Sequence, residues 1–183
     1  MKKLMIAAAI VCVAVASQAS TYAWGQWNDS VYKSGTSEAY VGDAWLFDGT
    51  ASATSVDKIL AAFANGDDIS AMSISTGMAD DGYVMGEDPF TYNGQAVGTI
   101  WNAYYAIVDG DKIFVSEMQS AQAQATSKAE FGFDDVSAES KAAALDITGG
   151  YQGVGWYQTV PEPTSGLLLL LGVAGLALRR RRA

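Results

Sequence analysis

A mainly β domain, an antiparallel sandwich or open barrel with one packed amphipathic helix, is what residues 20–160 predict. Three observations carry this expectation. Six runs rich in aromatic and β-branched residues are separated by turn-forming residues. The tight-turn sequence Asp109-Gly110-Asp111 stands between two of those runs. One stretch, Val56, Ile59, Leu60 and Phe63, places apolar residues at i, i+3, i+4 and i+7, the spacing of one face of a helix.

Taken in chain order, the first strand is expected over 39–47. The helix follows, with Thr54 or Ser55 as N-cap, Asp57 reaching back, and Asn65-Gly66 as the C-terminal stop. Further strands are expected over 69–75, 99–108, 112–118, 130–133 and 152–160. Those over 99–108 and 112–118 should form a β-hairpin about Asp109-Gly110-Asp111. Residues 119–126 set two signals against each other: Ala and Gln favour helix, yet their alternation has the period of a strand, and the segment stays open. A short helix is expected over 137–145.

The two ends of the 183-residue chain read differently from the middle. Lys2-Lys3, an apolar run from Leu4 to Ala16 and Ser17-Gln18-Ala19 give a basic start, a hydrophobic segment and a small-x-small site. Residues 1–19 are therefore expected to be a secretory signal helix, cut after Ala19. Cys12 follows Val11 rather than a small residue, which argues against a lipoprotein signal. At the other end Pro161-Glu162-Pro163 breaks any preceding structure, because proline lacks the N–H and restricts the residue before it. An apolar, helix-competent stretch follows over about 164–178, roughly 22 Å long at 1.5 Å per residue. That is short for a hydrocarbon core of about 30 Å. Arg179, Arg180, Arg181 and Arg182 compensate, since their stems snorkel to the headgroups and their charge holds that end in the cytoplasm. Residues 20–160 are then expected outside the inner membrane.

This tripartite tail resembles the PEP-CTERM sorting signal of Gram-negative bacteria that make exopolysaccharide. The resemblance covers residues 161–183 and implies an exosortase, a transpeptidase-like membrane enzyme, as processing partner. Cleavage near Pro161, Glu162 and Pro163 and transfer to the cell surface or extracellular space would follow. It implies nothing about residues 20–160, because such tails are attached to unrelated domains.

Composition limits what the middle can do. The chain has no His, and its one Cys is Cys12, so residues 20–160 hold no disulfide, Cys/His zinc site, thiol nucleophile or His-based triad. Five lysines against nineteen carboxylates leave this segment at −14, which excludes nucleic acid as a partner. No cofactor is expected. Catalysis would have to rest on carboxylates, Ser/Lys, Tyr or a bound metal, and Asp80, Asp81, Glu87 and Asp88 form the densest acidic group. A glycan hydrolase needs two such groups about 5–10 Å apart; the same four oxygen donors could otherwise hold an irregular calcium site, or simply belong to a solvated loop. Ser55-Val56-Asp57-Lys58 has a Ser/Lys hydrolase spacing but is explained by a helix start.

Aromatics give the other signal. Trp24, Trp27 and Trp101 are candidate stacking platforms for a glycan, the alternative being that they fill the core. The sequence thus favours a non-enzymatic exported surface or matrix protein. A secreted carbohydrate-binding module, with extracellular polysaccharide as partner, is the second reading, and a carboxylate-based glycan hydrolase the third.

Overall fold

The computed structural model describes residues 20–27, 30–87, 89–92, 96–124 and 127–159. The expected signal helix over 1–19, Asp88, and the tail with its expected helix and arginines lie outside the described residues.

The strands run in chain order as β1 (Ser20–Gln26), β2 (Gly42–Asp48), β3 (Ser75–Asp80), β4 (Tyr83–Gly86), β5 (Phe90–Tyr92) and β6 (Ile100–Asp109). Then come β7 (Lys112–Val115), β8 (Gln119–Gln122), β9 (Ala129–Gly132), β10 (Leu145–Asp146) and β11 (Gly155–Gln158). Two helices, α1 (Val56–Asn65) and α2 (Ser137–Lys141), interrupt them. Among the described residues all eleven strands join one sheet in the order β10-β11-β7-β6-β2-β3-β4-β1-β5, with β8 added to β6 and β9 to β1. Its pairings are antiparallel except β1 with β9 and β10 with β11.

The sheet bends back on itself. The first half of β6 pairs with β8, β9 lies beside β8, and β9 pairs with β1, so the circuit β6–β2–β3–β4–β1–β9–β8 returns to its start. Ser20 Oγ donates to Gln124 O at 2.8 Å across the β1 end of that junction. The inner face converges on rings: Tyr22, Trp24, Trp101, Tyr105, Phe131 and Phe133. Each such ring takes about 150–250 Å² out of water, a gross gain of about 4–6 kcal/mol at 25 cal/mol per Å², before the entropy of ordering is set against it.

On the outside, α1 lays Val56, Ile59 and Leu60 on Phe47, Tyr104, Ile113 and Val115 of β2, β6 and β7. Its end is fixed by Gly66, whose φ of 79° lets its N–H reach back to the last carbonyls. Its start differs from expectation. Ser55 makes no side-chain cap bond, and Asp57 Oδ1 instead accepts from Tyr151 N at 2.9 Å, tying the helix to the loop before β11. Thr54 Oγ1 turns away to Asp48 O at 2.5 Å.

Other corrections follow from local hydrogen bonding. Residues 69–72 form a 3₁₀ turn rather than a strand. Asp68 accepts from Ser70 N at 3.0 Å and from Ser70 Oγ at 2.6 Å, offering that backbone a local partner in place of a ladder. The open segment 119–126 contains β8, so its period of two decided the outcome over its helix propensity. The second helix spans only Ser137–Lys141, and Leu145 already belongs to a strand. The hairpin of β6 and β7 forms as expected, Asp109 paired with Lys112 about Gly110-Asp111.

Candidate functional site

The described chain leaves the domain at Thr159. Just before it, β11 is pinned by Trp156, whose Nε1 donates to Tyr32 O at 3.0 Å, and by Tyr157, whose hydroxyl donates to Gly153 O. Thr159 stands at the rim of an open groove of about 550 Å³ between the end of α1 and the β6–β7 turn. Trp45, Phe63 and Val108 line it with Asp67, Asp68 and Asp111. Two hydrogen bonds from Ser70 hold the Asp68 carboxyl below the usual range. Two such bonds from Thr148 do the same at Asp146.

Of the carboxylates expected to act together, Asp80, Asp81 and Glu87 are described, and Asp80 and Asp81 do not meet Glu87. Residues 80–87 form most of a hairpin rather than a loop, with Asp80 paired to Tyr83. Asp81 (φ 50°) and Gly82 (φ 81°) supply the two left-handed residues that a type I′ turn demands. Glu87 stands at the opposite end, where its N–H donates to Thr76 O at 3.3 Å. The four residues of β4, about 13 Å at 3.3 Å each, separate Asp81 from Glu87. That exceeds the span of a glycosidase pair, and the same separation keeps these groups from converging on a cation. Among the described residues no three carboxylates are placed to hold a metal ion.

Tyrosine hydroxyls are the other titratable groups of the interior, and burial raises several of them further above neutral pH. The Tyr40 phenol, donating to Val108 O at 3.0 Å, is pushed up to about 12 by burial and by Asp109 and Asp43. Burial and the Asp48 carboxylate push Tyr92 to about 12 as well. Burial raises Tyr105 further, and its hydroxyl donates to Gln26 Oε1. Such groups serve as fixed donors at neutral pH.

Of the three candidate platforms, two are core. Trp24, 2 % exposed, stacks on Tyr105 at 6.1 Å and donates from Nε1 to Ser75 Oγ at 3.0 Å. Trp101, 1 % exposed, meets Phe131 edge-on at 4.7 Å and Tyr22 at 5.1 Å. Neither can meet a ligand. Trp27 is different: it is 48 % exposed, just past β1 on the outer face. Its ring spans two strands, since a Cβ on Gly25 would lie 3.0 Å from Cε2 and one on Gly132 would lie 3.2 Å from Cζ3. Gly25 and Gly132 are register partners, and Gly25 is in turn partnered by Met85 and Met85 by Met78.

The two methionines are absent from the sequence expectations, which place no strand over 76–86. The signal was present in Asp81-Gly82 flanked by Met78-Ala79 and Tyr83-Val84-Met85, a two-residue turn between alternating runs.

The Pro-Glu-Pro, Leu-rich and Arg-ended tail that follows the last described strand is the pattern of an exported, sorted protein. The family model of the PEP-CTERM protein-sorting motif matches residues 159–182. The motif therefore begins at Thr159, on the rim of the groove, and is the substrate signal for exosortase processing of an exported, membrane-anchored precursor. No curated protein and no solved structure matches the chain.

Proposed function

We propose that this protein is a non-catalytic component of the cell surface or extracellular matrix. Exosortase cleaves it near the Pro161-Glu162-Pro163 motif and releases it from the inner membrane. The matched motif at residues 159–182 carries this reading. Its order supports the topology: a proline-bounded peptide, an apolar stretch and Arg179 to Arg182 at the cytoplasmic side. The non-catalytic part is supported by the separation of Asp81 from Glu87 along β4. A negative domain stays soluble and repels other copies.

The test compares the parent chain with Glu162→Ala and Pro161→Ala in cells that contain the processing enzyme. The parent is expected in the surface or medium fraction without its tail, and the variants in the membrane fraction. Equal release of parent and variants would remove the motif from the account.

A further inference from the structure

On the sheet's outer surface α1 covers β2, β6 and β7, while among the described residues no helix packs over β9, β1, β4 and β3. We propose that this bare face binds an uncharged polysaccharide chain, with the Trp27 indole as stacking platform and Met85 and Met78 continuing the apolar track. The inference rests on the protein reaching the extracellular polymer layer.

Alternation sets the track. On β1 the even-numbered Tyr22 and Trp24 point inward, so Gly25 and Trp27 point outward. Register then lines up Gly132, Gly25, Met85, Met78 and Asp43 across five strands, about 19 Å at 4.8 Å per step. The two glycines leave a shallow seat, and the Trp27 ring lies over both, which turns one face to the sheet and the other to solvent. Met85 and Met78 are each about half exposed, as is Tyr83. The β1–β4 register carried one residue further sets Tyr83 opposite Trp27. Exposed large apolar side chains adjoining in this way mark a binding surface rather than scattered surface residues. A flat ring with one open face suits the apolar C–H face of a sugar ring.

Charge selects among occupants. Asp43 ends the track, Asp80 is paired with Tyr83 beside it, and Glu130 precedes Gly132. Lys128, the cation nearest in sequence, is already paired with Glu130 at 3.1 Å. An anionic polymer or lipid would meet like charge here, and so would a second copy of a domain carrying −14. Sugar hydroxyls, by contrast, donate to carboxylates. A neutral glycan satisfies both the ring and the acids.

The full chain in mild detergent is run by affinity electrophoresis through gels holding a neutral β-glucan, a mannan or a dextran, with alginate as the anionic comparison. Retardation is expected in at least one neutral gel. Trp27→Ala should weaken it by about tenfold or more. Because Trp27 covers backbone, Met78→Glu with Met85→Glu serves as a second variant at half-exposed positions and should weaken it too. Circular dichroism checks the fold in each. No retardation by any neutral glycan, unchanged retardation in both variants, or preference for alginate would overturn the proposal. So would a dimer in sedimentation that both variants dissolve. A chain that binds but is never processed sinks the sorting reading alone; one that is processed but binds nothing sinks this inference alone.

Discussion

Gly86 leaves the space that Trp24 fills: a Cβ there would stand 2.5 Å from the indole Nε1. Its register partner Gly77 forms the other side of the slot, where a Cβ would meet Trp24 Cζ2 at 2.7 Å and the Met85 carbonyl oxygen at 2.3 Å. Two adjacent strands therefore give up side chains on their inner face so that one large ring can lie across them.

Gly86→Ala and Gly77→Ala should each destabilise the protein by about 1–3 kcal/mol through overpacking, Gly77→Ala by more because it meets backbone. Trp24→Phe, with its smaller ring, should recover part of the loss in the Gly86→Ala background. Urea midpoints measure both effects. Unchanged midpoints in the single variants would mean the ring is not seated there.

Asp48 joins a turn to a distant strand. Only 3 % exposed, it accepts from Thr50 N at 2.8 Å and Ala51 N at 3.3 Å on one oxygen, and from the Tyr92 hydroxyl at 2.7 Å on the other. Asp48→Ala deprives all three donors and should cost about 1–3 kcal/mol or more. Tyr92→Phe removes only the donor across the sheet and should cost about 1 kcal/mol. Thermal melts of the two variants should keep that order, and the reverse order would contradict it.

Alkaline pH should weaken the fold through the phenols. Tyr40 and Tyr92 sit at about 12, above the value of about 10 for an unfolded tyrosine. A raised folded value means the contribution is complete below about pH 10 and is lost as pH rises through 10 to 12. The melting temperature should fall over that window, and tyrosinate absorbance should appear later than in the urea-unfolded chain. Tyr92→Phe should flatten part of the slope. On the acid side the lowered Asp68 and Asp146 work in the other direction: their contribution holds above about pH 4 and is lost as pH falls through their folded values. Both are exposed, so that loss should be slight.

What could be read from the chain was what local chemistry signals. The helical stripe from Val56 to Phe63 and the turn at Gly110 each carry their own stop and period, and both elements formed there. The β3–β4 hairpin was hidden because Gly77 and Gly86 lower strand propensity, and their reason is Trp24, distant in sequence. The strand at Ser20–Gln26 was likewise unread, although Tyr22 and Trp24 already alternate within it. That alternation separates the candidate platforms: Trp24 and Trp27 are three apart, so on a strand they face opposite ways and only one can look outward. Burial of Trp101 was beyond such reasoning, since the rings that cover it, Tyr22, Tyr92 and Phe131, come from three other strands. The tail motif, by contrast, needs no fold to be recognised, and the family match covers it.

The central claim is that the tail is a processing signal. Intact mass with C-terminal peptide mapping, on native protein recovered separately from membranes and from the surface or medium, tests it most directly. The account predicts a product that starts near Ser20, the first residue of β1, and ends around Pro161 to Pro163. Retention of the Leu-rich stretch and Arg179 to Arg182 in every fraction would contradict it and leave the tail as a membrane anchor.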